Sequence, residues 1–251
     1  MSMSRQLLVN KLLEQTRVVE KPDKIRIRAF RACDDLEGSV RFHQGHSEVL
    51  AAFGLKLTSA DPIWFDDPFS YVILIESLDG TQSYGGSRIQ ISTPQTPLPL
   101  ESAIGHMEPR IYELVKDLRK EGTAEICGLW NSSVVAGMGI GSTYSIRCAF
   151  AIAGFLEIKS MFALCSPYTY RMAGNFGFRK VPHLGENGVL PYPSEKQVAI
   201  VTFQDDVKAM NEASDAERTF IFNLRTMPAQ ITSENVGKSN PIEVHYDLKL
   251  R

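Results

Sequence analysis

Three glycines fall within five residues in the segment Ala136-Gly137-Met138-Gly139-Ile140-Gly141-Ser142. An apolar stretch precedes it and a long apolar helical pattern follows. Glycine lets the backbone come close to a ligand or adopt a positive φ. Amides at the start of a helix point outward, and the helix dipole favours an anion in front of them. This spacing therefore suits one kind of chemistry, the seating of a phosphate-bearing ligand.

Three glycine-loop chemistries compete. A nucleotide P-loop requires GxxxxGK[ST], whose lysine reaches the phosphates; no Gly-Lys-Ser/Thr stands here. A dinucleotide fingerprint requires GxGxxG in the first strand–helix unit. Here Ser142 occupies the third glycine's place, and the loop follows a long stretch of other structure. The third possibility rests on a family resemblance.

The loop must be held by the elements around it. Residues 5–20 carry leucines on one side and read as a helix. Ile25–Phe30 alternates as a strand, and 34–53 is helical in part. Asp61-Pro62 and Asp66-Asp67-Pro68 mark turns. Tyr71–Glu76 and Tyr84–Ser92 read as a hairpin with a longer loop. Thr93–Glu101, with three prolines, reads as a loop. A helix follows around Ile111–Leu118, then a strand over Ala124–Trp130, the glycine loop and a buried helix over Ser142–Leu156. Ser160–Cys165, Gly177–Val181 and Gln197–Phe203 read as strands, with a short helix from Ser166-Pro167. Asp205–Asn223 reads as a helix and Ile242–Leu248 as a last strand. This order predicts an α/β (mixed α+β) fold, a central mixed twisted sheet flanked by helices. The expected organisation is an N-terminal helix over 1–24, a main domain over 25–205 and a C-terminal extension over 206–251 packed on it.

Composition sets limits. The 251 residues are 43% hydrophobic and 22% charged, with a net charge of −2, an ordinary globular balance. That charge argues for neither nucleic acid nor an anionic membrane as partner. The longest apolar run, Cys148–Leu156, is too short for a membrane span. The four cysteines are dispersed, as in a reduced intracellular chain, and the N-terminus has no secretory pattern, so a cytoplasmic location is expected. His43 and His46 have HxxH spacing, but Gly45 lies between them; no metal is expected.

The loop resembles the acyl-CoA site of the GCN5-related N-acetyltransferases. The pyrophosphate loop of that family reads [QR]xxGxG[AG], often as GKGIGS; Gly137–Ser142 differs from that form by Met138, and Ala136 stands where Gln or Arg is usual. Phe176-Gly177-Phe178-Arg179-Lys180-Val181 is similar to the family's late GFxxV segment. Ala173 stands where the family often has an aromatic. The resemblance implies that Val134, Val135, Ala136, Gly137, Met138, Gly139, Ile140, Gly141 and Ser142 bind acetyl-CoA or a longer acyl-CoA as co-substrate. It implies an N-acyltransferase whose acceptor is a small-molecule amine.

A narrower resemblance links the first half to the acyl-homoserine-lactone synthases and long-chain N-acyl amino acid synthases. It rests on Phe65-Asp66-Asp67-Pro68, Gly86-Ser87-Arg88-Ile89, Leu98-Pro99-Leu100-Glu101 and Glu125, with Gly128 replacing that group's strand arginine. It implies a longer acyl-CoA or an acyl carrier protein as donor, and Asp66, Asp67 and Arg88 as acceptor-binding residues. A non-catalytic acyl-CoA-binding module is the alternative from another class. The sequence does not indicate an oligomeric state.

Acyl transfer to an amine needs a bound donor, a polarised carbonyl, a base for the amine and a proton for the leaving thiolate. Glu125, on the strand that would lie alongside the thioester, is the candidate base; otherwise it is a surface glutamate or a partner of Arg88. Ser166, Tyr168 and Tyr170 are candidate proton donors; otherwise Ser166 caps a helix and the tyrosines pack. Asp66 and Asp67 are otherwise exposed turn acids, and Arg88 a strand-surface arginine. Cys127 and Cys165 read as small packing residues, since direct transfer needs no thiol. Met138 reads as a backbone-presenting position.

Overall fold

Ser70–Glu76 (SYVILIE) is buried at every position, as a strand covered on both faces requires. It sits within the elements that a computed structural model of the protein describes over residues 22–54, 62–235 and 241–250. The expected helix over 5–20 lies outside the described residues. In chain order these are β1 (Lys24–Arg31), α1 (Leu36–Ala52), β2 (Ser70–Glu76), β3 (Ser83–Ile91), α2 (Pro99–Ile104), α3 (Arg110–Arg119) and β4 (Thr123–Asn131). There follow α4 (Ser145–Phe155), β5 (Ser160–Cys165), α5 (Pro167–Ala173), β6 (Arg179–Lys180), β7 (Val189–Pro191) and β8 (Val198–Gln204). The chain ends with α6 (Asp215–Thr226), β9 (Ala229–Glu234) and β10 (Ile242–Asp247).

The chain forms two compact units that interleave along the sequence. One comprises Met1–Arg88, Gly128–Cys148 and Met227–Arg251, the other Ile89–Cys127 and Ala149–Thr226. In the first, strands run in the order β3-β2-β1-β10-β9. There β1 is antiparallel to β2, with Ile27 opposite Ile75, and parallel to β10, with Ile27 opposite Tyr246. Phe42 of α1 packs with Val72, Leu74, Trp64 and Trp130 in the core of this unit. In the second unit β4 and β5 are parallel, and β8 is antiparallel to β5, β6 and β7. Its core joins Ile104 and Val115 of α2 and α3 to Phe162 and Val201 of the sheet. The strands of each unit pair in both parallel and antiparallel fashion and bear helices, so the α/β class holds. Among the described residues no helix is long and apolar enough to cross a membrane.

Several elements differ from expectation. The proline-rich stretch before Glu101 is not all loop, because α2 begins at Pro99, where a missing N–H costs nothing. The helix expected from Asp205 begins only at Asp215: Met210 has φ 53°, a left-handed turn that ends any helix through it. The strand expected over Gly177–Val181 is only the two residues of β6. The hydrophilic edge strand β9 and the short β7 have no apolar pattern to mark them.

Candidate functional site

β4 ends at Asn131, and Ser132 turns the chain by accepting a hydrogen bond from Val134 N on its Oγ at 3.3 Å. Gly137 and Gly139 have φ of 77° and 73°, so the backbone reverses its curvature twice in three residues. One wide helical turn, Ile140–Tyr144, then leads into α4. In it, Thr143 N and Tyr144 N share the carbonyl of Gly139, at 2.9 and 3.4 Å. Val135, Met138 and Ile140 turn their side chains into the core and anchor the loop from below.

The amides of the loop fall into two sets. Ala136 N bonds Ser133 O, Met138 N bonds Val135 O, and Gly141 N bonds Asn131 Oδ1 at 3.0 Å. Among the described residues, the amides of Gly137, Gly139, Ile140 and Ser142 find no acceptor. Alternating left- and right-handed backbone with open N–H groups makes a concavity suited to an anion. Met138 is therefore a packing residue whose amide is already used, rather than one that presents its backbone.

A cleft of about 1040 Å³ in the first unit is lined by Ser132, Ser133, Ala136 and Ser142 of this segment and by the C-terminal half of α1. Gly45 lies inside α1 without breaking it, and a Cβ there would stand 2.2 Å from the Trp130 ring, so the ring packs directly on the helix backbone. The cleft also reaches Arg26, Arg28 and Arg41. These three converge on the fully buried Glu76, with Nε of Arg28 and Nη2 of Arg26 each 2.6 Å from Oε1 and Nη2 of Arg41 2.8 Å from Oε2. Asp35 also pairs with Arg28, and Glu37 with Arg41. The cluster is charge-balanced, and no sequence motif signals it.

Asp67 and Arg88 each bond Ser70, the first residue of β2. The carboxylate of Asp67 accepts from Phe69 N at 2.8 Å, and Ser70 N bonds Asp67 O. Arg88 is buried: its guanidinium lies 4.8 Å over the Trp64 ring and donates to Ser70 Oγ at 3.3 Å. It is not a strand-surface residue. Asp66 is exposed at the end of the short turn Pro62–Asp66. His43 and His46 lie on α1; burial, with Arg88 nearby, lowers both, His46 to about 4. Among the described residues no group of three or more His, Cys, Asp or Glu is placed to hold a metal.

In the second unit, Glu125 is 2% exposed, so it is not a surface glutamate. Its Oε2 accepts a hydrogen bond from Leu100 N at 2.7 Å. β4 pairs with β5 in parallel, Thr123–Glu125 opposite Ser160–Phe162, and β5 continues to Cys165 along β8. Ser166 caps α5 by accepting from Thr169 N at 3.2 Å. Tyr168 is exposed, and Lys180 Nζ stands 5.6 Å from the Tyr170 ring. Burial pushes the Cys165 thiol up to about 11, so it stays protonated near neutral pH.

No family model matches the chain, and no curated protein sequence does. Solved structures do. An N-acyl amino acid synthase from uncultured soil microbes, FeeM, aligns at 14% identity over 69% of this chain and 94% of its own, with a TM-score of 0.53. ElaA of Escherichia coli aligns at 12% identity over 72% and 99%, with a TM-score of 0.51. An acyl-CoA N-acyltransferase from Pseudomonas aeruginosa aligns at 16% identity over 72% and 99%, with a TM-score of 0.50. At such identities the likeness is one of architecture, and the architecture of this chain is the GCN5-related acyl-CoA N-acyltransferase fold.

Proposed function

We propose that the protein is an N-acyltransferase that moves an acyl group from a CoA-type thioester to an amine. The observation that carries this reading is the set of open amides at Gly137, Gly139, Ile140 and Ser142, directly after β4 and before α4. They would receive the pyrophosphate of the donor. In the reaction the amine attacks the thioester carbonyl, the C–N bond forms and the C–S bond breaks. Glu125 is the proposed proton acceptor for the amine: Leu100 N fixes the orientation of its carboxylate through Oε2. Ser166 is engaged as a cap, which leaves the phenols of Tyr168 and Tyr170 as the candidate donors of the thiolate's proton.

The finer reading is synthesis of an N-acyl amino acid or related lactone from a long-chain donor, either acyl-CoA or an acyl carrier protein. Arg88, buried on β3 with its guanidinium bonded to Ser70 of β2, favours it, since a guanidinium there suits an acceptor carboxylate. The likeness to FeeM agrees with it.

The test monitors free thiol from acetyl-, octanoyl- and palmitoyl-CoA, each with pools of amino acids and polyamines. Acceptor-dependent thiol release is expected, and a preference for palmitoyl-CoA with amino acids supports the finer reading. Tight CoA binding without thiol release from any pair would make the protein a non-catalytic acyl-CoA-binding module. Absence of CoA binding would overturn the proposal as a whole.

A further inference from the structure

The loop that would seat the donor does not hold its shape alone; strand β3 grips it at three successive points. At the entry, Ser132 N donates to Tyr84 O at 2.8 Å. At the exit, Ser145 Oγ donates to Ser87 Oγ at 2.7 Å, with both residues fully buried. In the middle lies a contact of backbone on backbone. A Cβ on Gly85 would stand 2.6 Å from Gly141 Cα and 2.9 Å from Trp130 O. A Cβ on Gly141 would stand 2.3 Å from Asn131 Oδ1 and 2.7 Å from Trp130 O. Neither glycine has a positive φ, so the need at both is for space and not for conformation.

We propose that Gly85, outside the loop in sequence, is a positioning residue for the donor phosphates. Its missing side chain lets β3 lie flush against Gly141 and thereby sets the open amides on either side, at Gly139, Ile140 and Ser142. The inference rests on the reading of the loop as the donor's phosphate seat. The atoms that a new Cβ would strike are backbone, which cannot rotate away as a side chain tip would. The strain of Gly85→Ala must therefore move either β3, which is tied into its sheet, or the loop, whose glycines yield more readily. Gly86 makes the contrast. A Cβ there would meet Ile73 O at 2.4 Å and the Phe42 ring, contacts with β2 and α1 that do not involve the loop.

The experiment measures CoA binding by calorimetry, and kcat with donor and acceptor KM, for Gly85→Ala, Ser87→Ala and Gly139→Val. In Gly85→Ala the CoA Kd and the donor KM should rise together by about tenfold or more. kcat and the acceptor KM should stay within about twofold, with an unchanged circular dichroism spectrum. Ser87→Ala adds no atoms and removes the exit hydrogen bond, so it should raise the same two constants by about threefold. A merely structural role would lower the melting temperature and the active fraction without moving the Kd of the folded protein. A folded Gly85→Ala protein with wild-type CoA affinity overturns the inference. If that variant does not fold, wild-type affinity in Ser87→Ala overturns it. Lost binding in Gly139→Val beside unchanged binding in the β3 variants would refute this inference alone. Wild-type binding in all three would refute the reading of the loop itself.

Discussion

The start of α2 and the turn leading into α4 both expose backbone amides that have no acceptor within their own helix. At α2 the protein fills them itself. Glu101 Oε2 takes Leu98 N at 2.6 Å and Glu125 Oε2 takes Leu100 N at 2.7 Å, and both glutamates are buried. At the glycine loop Gly141 N is filled by a neutral amide oxygen, that of Asn131, and Ala136 N and Met138 N by carbonyls of the loop itself. The amides of Gly137, Gly139, Ile140 and Ser142 are left open among the described residues. A buried amide without an acceptor costs about 1–3 kcal/mol, so a fold closes such groups unless something else will. A carboxylate supplied by the chain marks a structural end; the open amides of the loop are the end that the proposed function assigns to a foreign anion.

The largest effect should come from closing the loop to its ligand. Gly139 has φ 73°, and a Cβ there would have only Thr143 Oγ1 at 3.6 Å nearby. Space is ample, but valine rarely adopts that backbone. Gly139→Val should therefore abolish measurable CoA binding, with circular dichroism and melting close to wild type. Retained affinity in the folded variant would refute the assignment of these amides to the donor.

At α2 two substitutions of Glu125 separate capping from proton transfer. Glu125→Gln still offers an oxygen to Leu100 N, so its melting temperature should match wild type. If Glu125 also takes the amine's proton, kcat should fall by about a hundredfold or more. Glu125→Ala should lose turnover and stability together, because Leu100 N is left buried and unpaired at a cost of about 1–3 kcal/mol. Full turnover in the glutamine variant would reduce Glu125 to a cap and move the base elsewhere.

The two ends can also be made more alike. Asn131→Asp places a carboxylate on Gly141 N, as Glu125 already does on Leu100 N. The charge should improve the hydrogen bond at the amino end of the helical turn and raise the melting temperature slightly. The same charge would face the donor's pyrophosphate, and the CoA Kd should rise by about tenfold at low salt. Added salt should shrink that penalty. An unchanged Kd at low salt would mean that no anion sits against this loop.

What could be read from the sequence follows the same division. The glycine loop was legible because positive φ and close approach are demands on the backbone that residue type answers directly. β2 was legible because every residue of it is buried. Asn131, Gly85 and Ser87 were not, since their roles depend on neighbours brought together by folding; Ser87 and Ser145 meet across 58 positions. Glu125 could be placed on its strand, but its partner, Leu100 N, stands in a stretch whose prolines suggested a loop. The late start of α6 was hidden because the turn at Met210 is imposed by tertiary packing, where no glycine stands to announce it. The buried Glu76 with its three arginines left no pattern at all, for its members come from β1, α1 and β2.

A third set of filled amides gives the smallest effect and the cleanest control. Glu108, just before α3, accepts from Gly185 N at 2.7 Å and from Arg110 N at 3.4 Å, and it pairs with the Arg110 side chain at 2.6 Å. The Arg110 guanidinium, together with these amides, holds the carboxyl well below its ordinary value, at about 2. A carboxylate with a depressed folded-state pKa stabilises the protein above its unfolded pKa, and that stability is lost as pH falls through the folded value. The melting temperature of wild type should therefore exceed that of Glu108→Gln near neutral pH, with the gap closing between roughly pH 4.5 and 2. Arg110 is largely exposed, so the gap should be a few degrees at most and smaller in high salt. CoA affinity should not change, because this carboxylate fills a structural end. A gap that does not narrow with acid would show that Glu108 acts through its shape and not its charge, and the contrast between filled and open amides would then rest on Glu101 and Glu125 alone.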